Sequence, residues 1–257
     1  MVDFYLKVAL LIILNTFMVS GQALATSIFS KHCPLGCPVS NDDNLDIVVH
    51  NTHISAINKK TKWTIWTSYE VDKKFFGKRK NHSFIADPLL PERLQKKPLD
   101  YKGLYKKHRI SRGHMAPASH FSSEDGIARQ TYYLSNIQPQ HMSLNAGIWS
   151  KIEKWERKNS PLYVISGATD KKNLLQKKFW KLILNKQKNI FYAFVIKKNG
   201  EKYCYENILI SDLEKLTKLE FFKYYKINQK RLIMSGKGKC YKYLTINIRI
   251  PKLNVLG

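Results

Sequence analysis

The apolar residues of this 257-residue chain cluster in a way that no regular alternation of strand and helix produces. Three β-patterned runs lie close together, at 46–49, 54–57 and 63–71, separated by polar turns. In the third, Trp63, Ile65 and Thr67 alternate with Thr64, Trp66 and Ser68, a two-residue period. Residues 72–110 are basic and irregular, with Gly77, Pro88, Pro91 and Pro98 marking loops. A helix is expected over 143–159, stopped by Asn159-Ser160-Pro161. Strands follow at 162–165, closed by Gly167, and at 179–184 and 190–196. Ser211-Asp212-Leu213-Glu214 has the form of a capping box opening a helix towards Lys218. No internal repeat, low-complexity tract or linker divides the chain. This order predicts the α+β class, with a mixed or antiparallel sheet core and flanking helices.

The first 25 residues read as an address. Lys7 precedes an apolar run from Val8 to Val19, and Ala23-Leu24-Ala25 closes in small residues. That order predicts a secretory signal over 1–25 and a single mature domain over 26–257. The apolar run is shorter than the roughly 20 residues that span a bilayer, so no integral membrane association is expected after cleavage. The leader holds one Lys and one Asp, which leaves the formal net charge of +25 unchanged. Such an excess suits a polyanionic partner, although Lys far outnumbers Arg and composition alone would fill a surface in the same way. Cys33, Cys37, Cys204 and Cys240 are an even set behind an export signal. They read as two disulfides, Cys33 with Cys37 and Cys204 with Cys240, one of three connectivities that four cysteines allow. A zinc knuckle at Cys33 and Cys37 lacks a second close pair of ligands.

Two stretches carry chemistry. In Ser111-Arg112-Gly113-His114 the glycine lets an arginine and a histidine face one site, where imidazole can take a proton and guanidinium can clamp a phosphate. Arg-Gly-His alone is more often an ordinary loop. The second stretch runs from Tyr132 through Asn136 and Gln140 to Leu144-Asn145, Trp149, Glu153 and Arg157. Asn145 and Glu153 are two turns apart on the expected helix, about 80° around its axis. A solvated polar face would look similar.

Together the two stretches resemble the DNA/RNA non-specific endonuclease family, which includes secreted sugar-non-specific bacterial nucleases and mitochondrial endonuclease G. The shared pattern is Arg-Gly-His, then Ser135-Asn136-Ile137-Gln138-Pro139-Gln140, then Leu144-Asn145, Trp149, Glu153 and Arg157. The likeness extends to Asp100-Tyr101-Lys102-Gly103 and to Tyr163-Val164-Ile165-Ser166-Gly167. It implies a ββα-metal nuclease motif and an exported enzyme, periplasmic or secreted, that hydrolyses DNA and RNA through phosphate contacts. His114 would be the general base. Asn145 would be the one direct protein ligand of Mg²⁺, with Mn²⁺ as a substitute, and Glu153 would hold the metal through water. Arg112 and Arg157 would bind phosphate, and Asn136 and Gln140 would line the site, holding the histidine loop or substrate. A homodimer is compatible with the resemblance, and any inhibitor protein is left open.

The chain departs from the family pattern at Ser111, where an aspartate is usual. It also places the basic-loop arginine insecurely, with Arg79 the nearest candidate ahead of Asp87-Pro88. A relative that binds nucleic acid without cutting it is the main alternative, set against the retention of His114, Asn145, Glu153 and Arg112. A basic protein acting at acidic lipid surfaces would need a basic amphipathic helix with aromatic anchors, and no segment fits. His108 and His120 flank His114 and are read as surface or structural residues rather than zinc ligands. The lysine-rich stretch 171–188 either feeds a polyanion groove or is a solvated face.

Overall fold

The computed structural model describes residues 28–42, 44–169, 178–188, 190–199, 202–223 and 240–241. The expected signal over 1–25 lies outside them. Strands β1 (Leu45–Val49), β2 (Ile54–Asn58) and β3 (Thr64–Val71) form an antiparallel meander. The sheet then continues directly from β3 to β6 (Leu162–Ala168), β7 (Phe179–Asn185), β8 (Ile190–Asn199), β9 (Lys202–Asn207) and the two-residue β10 (Cys240–Tyr241). All its neighbours pair antiparallel. The chain between β3 and β6 forms a separate layer. It holds short helices α1 (Leu104–His108) and α2 (Asp125–Gln130), the two-stranded β4 (Ile110–His114) and β5 (Ile137–His141), and α3 (Ser150–Lys158). Helix α4 (Ile210–Thr217) covers the opposite face. The fold is α+β with an antiparallel sheet.

The period of two along each strand divides the core between the two faces. Tyr69, Val71, Leu162, Val164, Phe179, Ile183, Tyr192 and Phe194 pack with Met115, Leu144, Trp149 and Ile152 of the inserted layer. Trp66, Ile165, Trp180, Leu182, Ala193 and Val195 pack on the other side with Cys33, Cys37, Ile210, Leu213 and Phe221. Because both faces are covered, β3 is buried almost throughout, and its alternation separates two cores rather than core from solvent.

Three expectations need correction. Gly167 does not end its strand, since β6 runs on to Ala168. A Cβ at Gly167 would stand 2.1 Å from the Trp180 ring, so the glycine makes room for an indole in the adjacent strand. Ser211 does not cap α4, whose N-cap is Leu209 with no side-chain bond. Glu214 instead accepts from the Phe221 N–H, tying the helix to the following chain. The expected helix over 143–159 is two pieces: a π-helical segment, Leu144–Trp149, with Gly147 at φ −94° and ψ −111°, leads into α3. Wide turns of this kind reshape a helix locally.

Cys33 and Cys37 form a disulfide. Cys204 is also disulfide-bonded and stands opposite Cys240 in the β9–β10 register. Among the described residues, no helix is long and apolar enough to cross a membrane.

Candidate active site

Strands β4 and β5 pair with Ser111 opposite Gln140 and His114 opposite Ile137. Arg112 and His114, two residues apart, therefore share a face. The Phe84 ring lies against both, 5.3 Å from the Arg112 guanidinium and 5.4 Å from the imidazole. Tyr132 meets His114 edge-on with centroids 4.8 Å apart. Gly113 lies between them because a Cβ there would come within 2.3 Å of the buried Gln140 side chain. The glycine accommodates Gln140, and strand alternation alone brings arginine and histidine to one side.

The backbone after His114 is clamped by Asn136. Its Oδ1 accepts from Ala116 N–H, while Nδ2 donates to the carbonyls of Ala116 and Thr131. Asn136 is fully buried, and its amide is occupied in holding the histidine loop. Trp149 adds a second tie, its indole N–H donating to the His114 carbonyl at 3.1 Å.

The π-helical segment and α3 bring up the other half. Asn145 donates from Nδ2 to the Ser111 hydroxyl at 2.9 Å, so the helix is joined to β4 at the site. Glu153 follows two turns later. Burial pushes its carboxyl up to about 8, against the pull of Lys181 and Arg79, while Glu156 adds to the rise. Arg157 is docked by donating to the Ser119 carbonyl and by stacking 4.1 Å from the Phe76 ring. Arg79 is exposed and reaches the Tyr132 hydroxyl at 3.5 Å. Its charge acts on both His114 and Glu153, which places it beside the site. Burial, helped by Arg79, lowers His114 to about 3, so the imidazole is neutral at neutral pH.

A buried polar cluster beneath this surface is absent from the sequence reading. Glu156 pairs with Lys181 at 2.6 Å and with His120 at 3.1 Å, and accepts from the Tyr69 hydroxyl at 3.1 Å. Lys181 is fully buried and so is neither a groove feed nor part of a solvated face, whereas Lys186 and Lys188 are exposed; 170–177 lie outside the described residues. The available signal is positional: Lys181 shares the strand parity of Phe179 and Ile183 and so falls on the face that packs against the inserted layer. His120 is buried too, as a structural residue.

Three buried polar atoms at the site have no hydrogen-bond partner among the described residues: His114 Nε2, Arg112 Nε and Gln140 Oε1. Among the described residues no three His, Cys, Asp or Glu side chains converge on one point. An amide oxygen and a raised carboxyl beside orphaned polar atoms suit a hard divalent ion that keeps most of its water.

The family model for DNA/RNA non-specific endonucleases matches residues 30–226. The chain is 29% identical to the "Nuclease" of Serratia marcescens, a match covering 80% of this chain and 86% of that protein. It is 33% identical to the mitochondrial nuclease EXOG of Danio rerio over 46% of this chain and 35% of that protein. A chain in the crystal structure of the EndoG/EndoGI complex shares its fold with a TM-score of 0.57 at 18% identity. That likeness covers 72% of this chain and 88% of the other.

Proposed function

The chain belongs to the DNA/RNA non-specific endonuclease family, whose members are phosphodiester hydrolases, and from that premise we propose that it is an exported, Mg²⁺-dependent nuclease cutting DNA and RNA with little regard for base sequence. One observation carries the reading: β4 and the Leu144–Lys158 helical unit bring together a neutral histidine, an amide, a carboxyl and two arginines, with Arg79 of the preceding loop beside them.

His114 takes a proton from the attacking water. It is uncharged at neutral pH, so its unpartnered Nε2 can carry the lone pair that accepts. Asn145 would hold Mg²⁺ directly and Glu153 would hold it through water, with Mn²⁺ able to replace it. When bound, the ion supplies positive charge to the phosphate being cleaved. Arg112, Arg157 and Arg79 bind phosphate oxygens and stabilise the charge that grows in the transition state. Contacts of this kind carry no base information, which is why sequence matters little. Asn136 and Gln140 act indirectly, by holding the histidine loop and packing under Gly113.

The leader-like pattern read over 1–25, ahead of the single domain expected over 26–257, and the Cys33–Cys37 disulfide support export to an oxidising compartment, periplasmic or extracellular. The test uses the processed protein with plasmid DNA and with RNA, in Mg²⁺ or in EDTA, beside His114→Ala and Asn145→Ala. Metal-dependent loss of both polymers, abolished in each variant, is expected. Nucleic acid that is retarded but intact across several divalent ions would replace this reading with a binding protein.

A further inference from the structure

Ser111 immediately precedes the Arg-Gly-His stretch, and the structure gives it a definite task. It lies on β4 opposite Gln140 of β5, and its hydroxyl donates to the Gln140 carbonyl at 3.0 Å. A serine hydroxyl has a single hydrogen. With that hydrogen committed to Gln140, the oxygen can only accept on its other side. There it meets Asn145, whose Nδ2 donates to it at 2.9 Å.

The two ends of a carboxamide turn together. Fixing Nδ2 on Ser111 therefore fixes where Oδ1 goes, and among the described residues Oδ1 has no hydrogen-bond donor of its own. An asparagine without this anchor would turn end for end and present nitrogen about as readily as oxygen. Hard divalent cations take oxygen ligands, and an amide nitrogen facing such an ion repels it. The strand register thus passes through one hydroxyl to the orientation of a side chain on the neighbouring helical unit.

We infer that Ser111 is a positioning residue that locks the Asn145 carboxamide with its oxygen free, so that a divalent cation meets Oδ1. The inference rests on Asn145 as the metal ligand proposed above. Groups one shell out from a metal commonly change its affinity by about 10- to 100-fold, and Ser111 is such a group for Asn145.

The experiment is a calorimetric titration of the purified protein with Mn²⁺ alone, without nucleic acid. The parent binds, and Asn145→Ala abolishes binding. Ser111→Ala weakens Mn²⁺ by about tenfold or more. Ser111→Thr keeps the hydroxyl and retains affinity, whereas Ser111→Val, similar in shape and equally suited to a strand, behaves like alanine. In an Asn145→Asp background the effect of Ser111→Ala vanishes, because a carboxylate offers oxygen whichever way it turns. Circular dichroism shows which variants are folded, and the Thr/Val pair decides the matter should the alanine variant not fold. Parent-like binding in both Ser111→Ala and Ser111→Val overturns the role of Ser111. Equal weakening by Ser111→Ala in the parent and in the Asn145→Asp background also overturns it, since a general loss of structure would act alike in both. A parent that binds no Mn²⁺, or an Asn145→Ala variant that still does, removes the metal reading itself and this inference with it.

Discussion

Gly113 is legible from the chain as part of Arg-Gly-His, but its reason is not. In sequence it suggests a turn between two functional side chains. In the fold it lies in a strand, and the space of its missing Cβ is filled by Gln140, a residue far along the chain. The close approach depends on register, which local spacing does not encode. Gly113→Ala forces the buried Gln140 side chain to move, and overpacking of this kind costs about 1–3 kcal/mol. The expected result is a lower urea midpoint together with reduced nuclease activity, since the strand carrying Arg112 and His114 must shift. Gln140→Ala in the same protein opens the space and recovers much of the midpoint. A Gly113→Ala variant as stable and as active as the parent would show that the contact is slack. Arg79 teaches the same lesson in reverse. Its loop has no periodicity to align by, and its place emerges only from the Tyr132 hydroxyl it reaches and the two groups its charge acts on.

At the scale of elements, strands are legible because the two-residue period is local and survives burial on both faces. Helix starts are less so. The Leu144–Trp149 turn widens around Gly147, and α4 begins without the serine cap that its motif suggests, because Glu214 bonds the chain beyond the helix instead. The pairing of α3 with β7 through Glu156 and Lys181 is hidden from the sequence. Each is an ordinary surface residue by type, and only the inward parity of Lys181 betrays it. Burial pushes Glu156 up, but Lys181 and His120 outweigh it and leave the carboxyl below its ordinary value. Removing one partner strands a buried charge. Lys181→Met should therefore lower stability by about 3–5 kcal/mol. Lys181→Met with Glu156→Gln removes both charges and should cost clearly less than the sum of the single changes. Chemical denaturation of the four proteins measures the coupling, and strict additivity would mean that the pair does not act as a unit. Because Glu153 and Arg157 sit on the same helix as Glu156, the single variant should lose activity as well.

The whole molecule places its site in one long insertion between β3 and β6, with the sheet as a floor and a second apolar layer behind it. That arrangement leaves several histidines buried. His32 of the N-terminal loop and His53 just before β2 both contact His50, and His120 lies under the site. His32 binds the His50 carbonyl through Nε2 and leaves Nδ1 bare, while His53 meets the Thr52 hydroxyl through Nδ1 and leaves Nε2 bare. Burial holds His32 down to about 4, holds His53 well below its ordinary value and lowers His120. An unfolded histidine takes a proton near 6.5, so between that pH and the folded value the unfolded chain binds more protons than the native one. The stability contributed by His32 is present above pH 6.5 and is lost as the pH falls towards 4, and His53 and His120 act in the same direction. Each such imidazole adds a slope of about 1.4 kcal/mol per pH unit across its own window. Urea midpoints measured at steps from about pH 7.5 to 4.5 should fall steeply once the unfolded histidines begin to charge. His32→Gln keeps a donor for the His50 carbonyl but cannot take up a proton, so its acid limb should be shallower. Were that limb as steep as the parent's, the acid sensitivity would have to come from groups other than His32, and burial in the N-terminal loop would not be what keeps its imidazole neutral.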